Sequence, residues 1–170
     1  MKKRTKVVLH LAVFVIVFVG SALVRIALLG GAPERLIRVK WNDSVGTVYA
    51  NQEYENTNGH KYDLYIPSGL DESQNQYLIL FIHGGSFNSG AKEDGDAWCK
   101  YYATKGYITA TVDYTLQAHG QEASIYLMNS EIESAVKAIK EQAEALGYRI
   151  AGMAPCGVSA GGTLAMNLAY

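Results

Sequence analysis

Cysteine is scarce in this chain, and basic charge is scarce over most of it. Cys99 and Cys156 are the two cysteines. Two thiols do not make a disulfide framework, and Cys156, in an apolar stretch, reads as a buried free thiol. No histidine, cysteine and acid grouping has metal-ligand spacing, so neither a metal nor an organic cofactor is implied. Residues 1–30 carry Lys2, Lys3, Arg4, Lys6 and Arg25 with no acid, which leaves ten basic residues against all sixteen acidic ones in the remainder. A basic patch is therefore missing, which argues against nucleic acid as a partner. Repeats and low-complexity segments are also missing. All four histidines (His10, His60, His83, His119) precede Ser159, and no Asp, Glu or His follows it. What is present suits a folded domain: 170 residues, 49% hydrophobic and 18% charged.

The longest apolar run is Val7–Val24, behind the positive head Lys2-Lys3-Arg4-Thr5-Lys6. A helix over this run spans about 27 Å, close to the hydrocarbon thickness of a bilayer. It has no polar stripe of the kind a buried globular helix shows. The expectation is a single-pass signal anchor over 1–30, with its basic end in the cytoplasm and the rest of the chain on the extracytoplasmic side of the cell membrane. The competing reading is a cleaved signal peptide, with Gly20-Ser21-Ala22 at the cut and a secreted product; the run is long for that.

Gly30-Gly31-Ala32-Pro33 breaks the helix, and residues 31–58 read as a polar spacer with a short strand at Thr47–Ala50. The third segment, 59–170, carries the folded domain. Lys61–Ile66 alternates as a half-buried strand, whereas Tyr77–Ile82 and Tyr107–Val112 are continuous apolar runs suited to the middle of a parallel sheet. Ala97–Lys105 reads as a short helix closed by Gly106. Ser124–Leu146 repeats apolar residues at spacings of three and four, a longer helix closed by Gly147. Ile150–Cys156 is a third central strand in which Pro155 removes a ladder donor, and Gly161–Tyr170 opens a helix. The alternation of strand and helix gives an α/β class with a mostly parallel sheet and flanking helices.

Two motifs end strand-like runs. Gly157-Val158-Ser159-Ala160-Gly161 reads G-x-S-x-G after the Ile150 strand, and His83-Gly84-Gly85-Ser86 follows the Tyr77 strand. A tight strand-to-helix turn lifts a serine clear of the sheet in a strained backbone, and Gly157 and Gly161 leave it room. The second turn brings glycine-rich main chain towards a substrate, and amides there and at Ala160 can meet a developing oxyanion. The bland alternatives are an ordinary serine in a glycine turn and a plain glycine loop.

These residues, with Tyr62-Asp63-Leu64-Tyr65-Ile66-Pro67 and Val112-Asp113-Tyr114, resemble the N-terminal half of an α/β-hydrolase of the carboxylesterase and lipase branch, the one with an H-G-G-type oxyanion loop. The resemblance covers about residues 60–170. It implies that Ser159 is the nucleophile, that the amides of Gly85, Ser86 and Ala160 form the oxyanion hole, and that His83 and Gly84, with Gly157 and Gly161, support the site. His83 is then structural and not the base. Three departures stand out: Ser86 replaces a third glycine, Thr115 replaces an arginine that would form a structural ion pair, and the acid and histidine that follow the serine in the family are absent. The expected function is hydrolysis of a small-molecule carboxylic ester by a membrane-anchored serine hydrolase whose chain is incomplete as given, with little or no turnover from these residues alone. The alternatives are a serine peptidase of the prolyl oligopeptidase type, and a non-catalytic anchored remnant or binding module. Acyl and alcohol specificity and oligomeric state leave no sequence signal.

Overall fold

The computed structural model describes residues 3–29, 37–56, 58–118 and 123–169. The chain divides into two compact units, Met1–Ile37 and Arg38–Tyr170. The first holds one helix, α1 (Lys3–Leu29). Within it Val7–Arg25 is 19 residues long with a mean hydropathy of 2.8, long and apolar enough to cross a membrane. A signal sequence near the N-terminus can meet the same criterion. Phe14 and Phe18, one helical turn apart, stack at 6.1 Å.

The second unit is a five-stranded sheet flanked by helices. Its strands are β1 (Gly46–Glu53), β2 (Lys61–Pro67), β3 (Gln76–Ile82), β4 (Ile108–Val112) and β5 (Ile150–Gly157). The spatial order is β1-β2-β4-β3-β5. The expected mostly parallel sheet is corrected to a mixed one: β4 and β5 flank β3 in parallel, whereas β2 is antiparallel to both β1 and β4. The connections explain the directions. A parallel neighbour needs a long crossover, usually helical. Helix α2 (Asp96–Ala103) carries the chain from β3 to β4, and α3 (Ile125–Ala145) carries it from β4 to β5. No helix separates β1 from β2 or β2 from β3, so the chain reverses there.

The short strand expected at Thr47–Ala50 is the middle of β1, which pairs with β2 from Gly46↔Pro67 to Glu53↔Lys61. A bulge between Tyr49 and Gln52 contains Asn51 at φ 55, and its N–H donates to Asp63 Oδ1 at 2.7 Å. Strand β2 differs from its half-buried expectation, because Tyr62–Pro67 is buried throughout. It lies between two strands, and both of its faces are packed. On one face Leu64 joins Leu78, Leu80, Ile82, Ala110 and Val112 beneath Met128, Ile132, Ala135 and Ile139 of α3 and Leu164 of α4 (Ala160–Ala169). On the other, Tyr65 joins Phe81 with Cys99 and Ala103 of α2.

Helix ends follow their local chemistry. Ser124 caps α3 by accepting from the Leu127 N–H at 3.1 Å, and Gly147, at φ 92, takes the left-handed position that ends it. Pro155 sits opposite Leu80 on β5, which is an edge strand among the described residues and so tolerates a missing donor.

Candidate active site

Strands β3 and β5 run parallel side by side, so the turns that follow them emerge at the same end of the sheet. The pairing Ile82↔Gly157 sets His83 and Val158 level. After β5 the chain turns within two residues and enters α4 at Ala160. Ser159 takes φ 54, a left-handed backbone rare for any side chain but glycine's. Such a conformation costs about 1–3 kcal/mol and persists only where its surroundings enforce it. The Gly161 N–H donates to Val158 O and the Gly162 N–H to Ser159 O, both at 2.9 Å. Gly161 is packed so closely that a Cβ there would strike the carbonyl oxygens of Ile82 and His83. A Cβ at Gly157 would likewise meet Ile82 O, at 2.6 Å.

The turn after β3 is longer and more strained. Gly85, Ser86, Phe87 and Gly90 have φ values of 115, 54, 63 and 101. Ser86 thus adopts the left-handed conformation that a third glycine would take freely, and keeps its N–H. The carbonyls of this loop are occupied. His83 Nδ1, the donor in this bond, reaches Gly84 O at 2.8 Å. Gly85 O accepts from the N–H groups of Asn88 (3.1 Å) and Ser89 (3.0 Å) and from Ser89 Oγ (3.0 Å). In a trans peptide the N–H opposes the preceding C=O. Pinning the carbonyls of Gly84 and Gly85 therefore fixes the directions of the Gly85 and Ser86 amides.

The two turns touch. A Cβ at Gly84 would lie 2.6 Å from Val158 O and 3.4 Å from Ser159 Cβ. The structure thus brings Gly84 and Ser159 together, with Ala160 buried at the head of α4.

His83 is 1% exposed and stacks on Tyr114 at 4.3 Å between centroids, tilted by 11°. Tyr114 Oη donates to His83 O at 2.8 Å, and burial pushes the Tyr114 phenol up to about 12. The His83 ring is thus enclosed, with Nδ1 bonded to main chain. His60 is partly buried and bonds Thr115 Oγ1 at 3.1 Å. His119 lies outside the described residues.

Two sets of buried contacts escaped the sequence reading. Thr115, in the place of an arginine, is the partner of a buried acid: its N–H and Oγ1 both donate to the Glu131 carboxylate at 2.7 Å. Asn58 Nδ2 completes that cluster on Thr115 Oγ1. The second group is Lys92, whose side chain is 4% exposed and whose Nζ lies 3.0 Å from Asp63 Oδ2 and 2.7 Å from Glu93 Oε1. Burial opposes the Lys92 charge, but bonds to Glu93 and Asp63 prevail and hold its pKa above the usual lysine value. Among the described residues no cluster of histidine, cysteine and acid has the grouping to hold a metal ion.

This fold, a mixed sheet with helices on both faces and a strand-turn-helix serine beside a glycine loop, is that of the α/β-hydrolases. The chain matches the BD-FAE family over residues 62–170 and belongs to that α/β-hydrolase-like family. It is similar to a solved bacterial heroin esterase, with a TM-score of 0.61 and 25% identity, covering 84% of this chain and 43% of that one. Its fold also resembles Thermogutta terrifontis esterase 2 phosphoramylated by tabun, at a TM-score of 0.58 and 22% identity, over 75% of this chain and 48% of that one. The kynurenine formamidase of Danio rerio is 28% identical over 122 residues, which are 72% of this chain and 39% of that protein. The chain thus spans less than half the length of each.

Proposed function

We propose that residues 38–170 carry the nucleophile and the oxyanion hole of a serine hydrolase acting on small carboxylic esters. The supporting observation is the juxtaposition of Ser159, at φ 54, with Gly84 of the His-Gly-Gly turn. In this reading Ser159 Oγ attacks the ester carbonyl, and the amides of Gly85, Ser86 and Ala160 receive the oxyanion. A base takes the serine proton and returns it to the leaving alkoxide. His83 is 1% exposed and enclosed against the Tyr114 ring, so the base in this reading is another group. Similarity to esterases, including one with an organophosphorus adduct, supports the ester reading. The formamidase relatives suggest a second substrate class, a formamide, attacked through the same tetrahedral geometry.

The test is exposure of the folded chain to a fluorophosphonate, followed by peptide mass mapping. One adduct on Ser159 is expected, with labelling at least 100-fold slower in Ser159→Ala. An unlabelled folded chain, or an adduct elsewhere, overturns the assignment.

The same proposal places α1 across the cell membrane as the anchor of residues 1–30, with the folded unit of residues 38–170, which takes in β1 from the expected 31–58 spacer, outside the cytoplasm. The apolar span Val7–Arg25 and the basic head before it support this. Protease added to intact cells should remove the domain and leave a membrane-held stub. Full protection, or a free domain lacking residues 1–20 in the medium, contradicts the anchored topology.

A further inference from the structure

Lys92 is the most deeply buried cation in the described domain, and the proposed reaction does not use it. It ends the loop that begins at His83. Four bonds converge on it. Its Nζ meets Asp63 Oδ2 of β2 at 3.0 Å and Glu93 Oε1 at 2.7 Å. Its N–H donates to Asp113 Oδ1 at 2.8 Å, and its carbonyl accepts from Thr111 Oγ1 of β4 at 2.8 Å. Asp63 is itself fixed on the opposite side by the Asn51 N–H of the β1 bulge at 2.7 Å. A single residue thus fastens the loop to β1, β2 and β4, none of which carries the loop.

The loop needs such a fastening. Its own bonds close a turn around Gly85 O, and Gln117 N–H holds Phe87 O at 2.7 Å. Ser86 and Phe87, left-handed non-glycine residues between Gly85 and Gly90, store strain that would relax if the returning limb were free. Gly90 must lie against the His83 ring and Gly84 O, and a Cβ at that position would overlap both. Lys92 follows Gly90 by two residues, so its position decides whether Gly90 stays pressed on the peptide that orients the Gly85 amide.

We infer that Lys92 is a positioning residue: its buried ammonium, paired with Asp63, holds the Gly84–Gly90 loop in the geometry that aims the Gly85 and Ser86 amides at the space beside Ser159. The pair's use is then conformational. Paired charges in an interior add little net stability over apolar residues of the same size, but they accept one arrangement and reject others. The inference rests on the reading of Ser159 as nucleophile for its consequence in chemistry, and not for its consequence in loop order.

The test uses the full chain in detergent with Lys92→Met/Asp63→Leu, which removes both charges together, and with Thr111→Val, which removes one neutral tie. Amide hydrogen exchange is followed separately in residues 84–90 and in β3 and β4, and the rate of fluorophosphonate addition at Ser159 is measured alongside. In the double variant, loop exchange should rise at least tenfold and the addition rate fall at least tenfold, with β3 and β4 within twofold of the parent. Thr111→Val should move both readings in the same direction by about threefold. If the loop and the strands loosen together in Thr111→Val, or if loop exchange is unchanged in a folded variant, the inference is wrong. Should the double variant not fold, Thr111→Val decides alone. A parent chain that shows a protected loop but no adduct at Ser159 would refute the nucleophile reading, and loop exchange would still decide whether Lys92 holds the loop.

Discussion

The turns after β5 and β3 end at the same edge of the sheet and touch, yet they are held in opposite ways. The β5 turn is held from within. One strained residue, Ser159, is trapped between a strand and a helix, and Gly161 presses directly on the carbonyls of Ile82 and His83. The β3 turn is held from outside. Its strain sits on Ser86 and Phe87, with Gly85 and Gly90 turning freely beside them, and its ties run to His83, Gln117 and, through Lys92, to Asp63, Thr111 and Asp113. The backbone at Ser159 and the amides of Gly85 and Ser86 can therefore vary separately.

Adding one methyl group to each turn breaks this contrast most directly. Gly161→Ala puts a Cβ into two backbone carbonyls that cannot retreat without parting β3 from α4. Overpacking of this kind costs about 3 kcal/mol, and the whole unit should melt at lower temperature, as read by circular dichroism. Gly90→Ala meets the His83 ring and Gly84 O at φ 101. The left-handed backbone alone costs about 1–2 kcal/mol, but here the loss should fall on the loop, with exchange rising in 84–90 and a smaller change in melting temperature. Equal effects from the two substitutions would erase the distinction.

A gentler substitution sharpens it. Burial raises the Asp113 carboxyl above its usual range, while its bond from the Lys92 N–H pulls the other way. A raised folded-state value means that the stability contribution of Asp113 is complete below its unfolded pKa. That contribution is lost as pH rises through the folded pKa. Asp113→Asn keeps an acceptor for Lys92 and cannot ionise. Melting curves of variant and parent should coincide at acid pH, below the ordinary carboxylate range, and separate in favour of the variant as pH rises to neutrality. A variant that is less stable at neutral pH would show that Asp113 serves the loop as an anion.

The same contrast explains what the sequence disclosed. The β5 turn was legible because its signature residues all lie between Gly157 and Gly161. Strand and helix positions were legible for the same reason: α3 ends at its serine cap and its glycine as the local pattern indicates. Strand direction was not, because it depends on which connections contain a helix. The Lys92–Asp63 pair joins residues 29 positions apart, and Thr115 meets Glu131 across 16. A lysine or a glutamate in a polar stretch carries no local sign that it will be buried. Thr115 was visible as a departure from the family pattern that would cost an ion pair, but not its bonds to Glu131, which fill the place with neutral donors.

Cys99 has a consequence of a different kind. It is 2% exposed between α2 and the sheet, and burial pushes its thiol well above the ordinary cysteine value. Only the thiolate reacts with alkylating reagents, so the packed side chain is chemically silent. Its modification must wait for α2 to lift from Phe81 and Tyr65, and the rate then counts those excursions. The domain carries, in one inert sulfur, a clock for the peeling of its own surface.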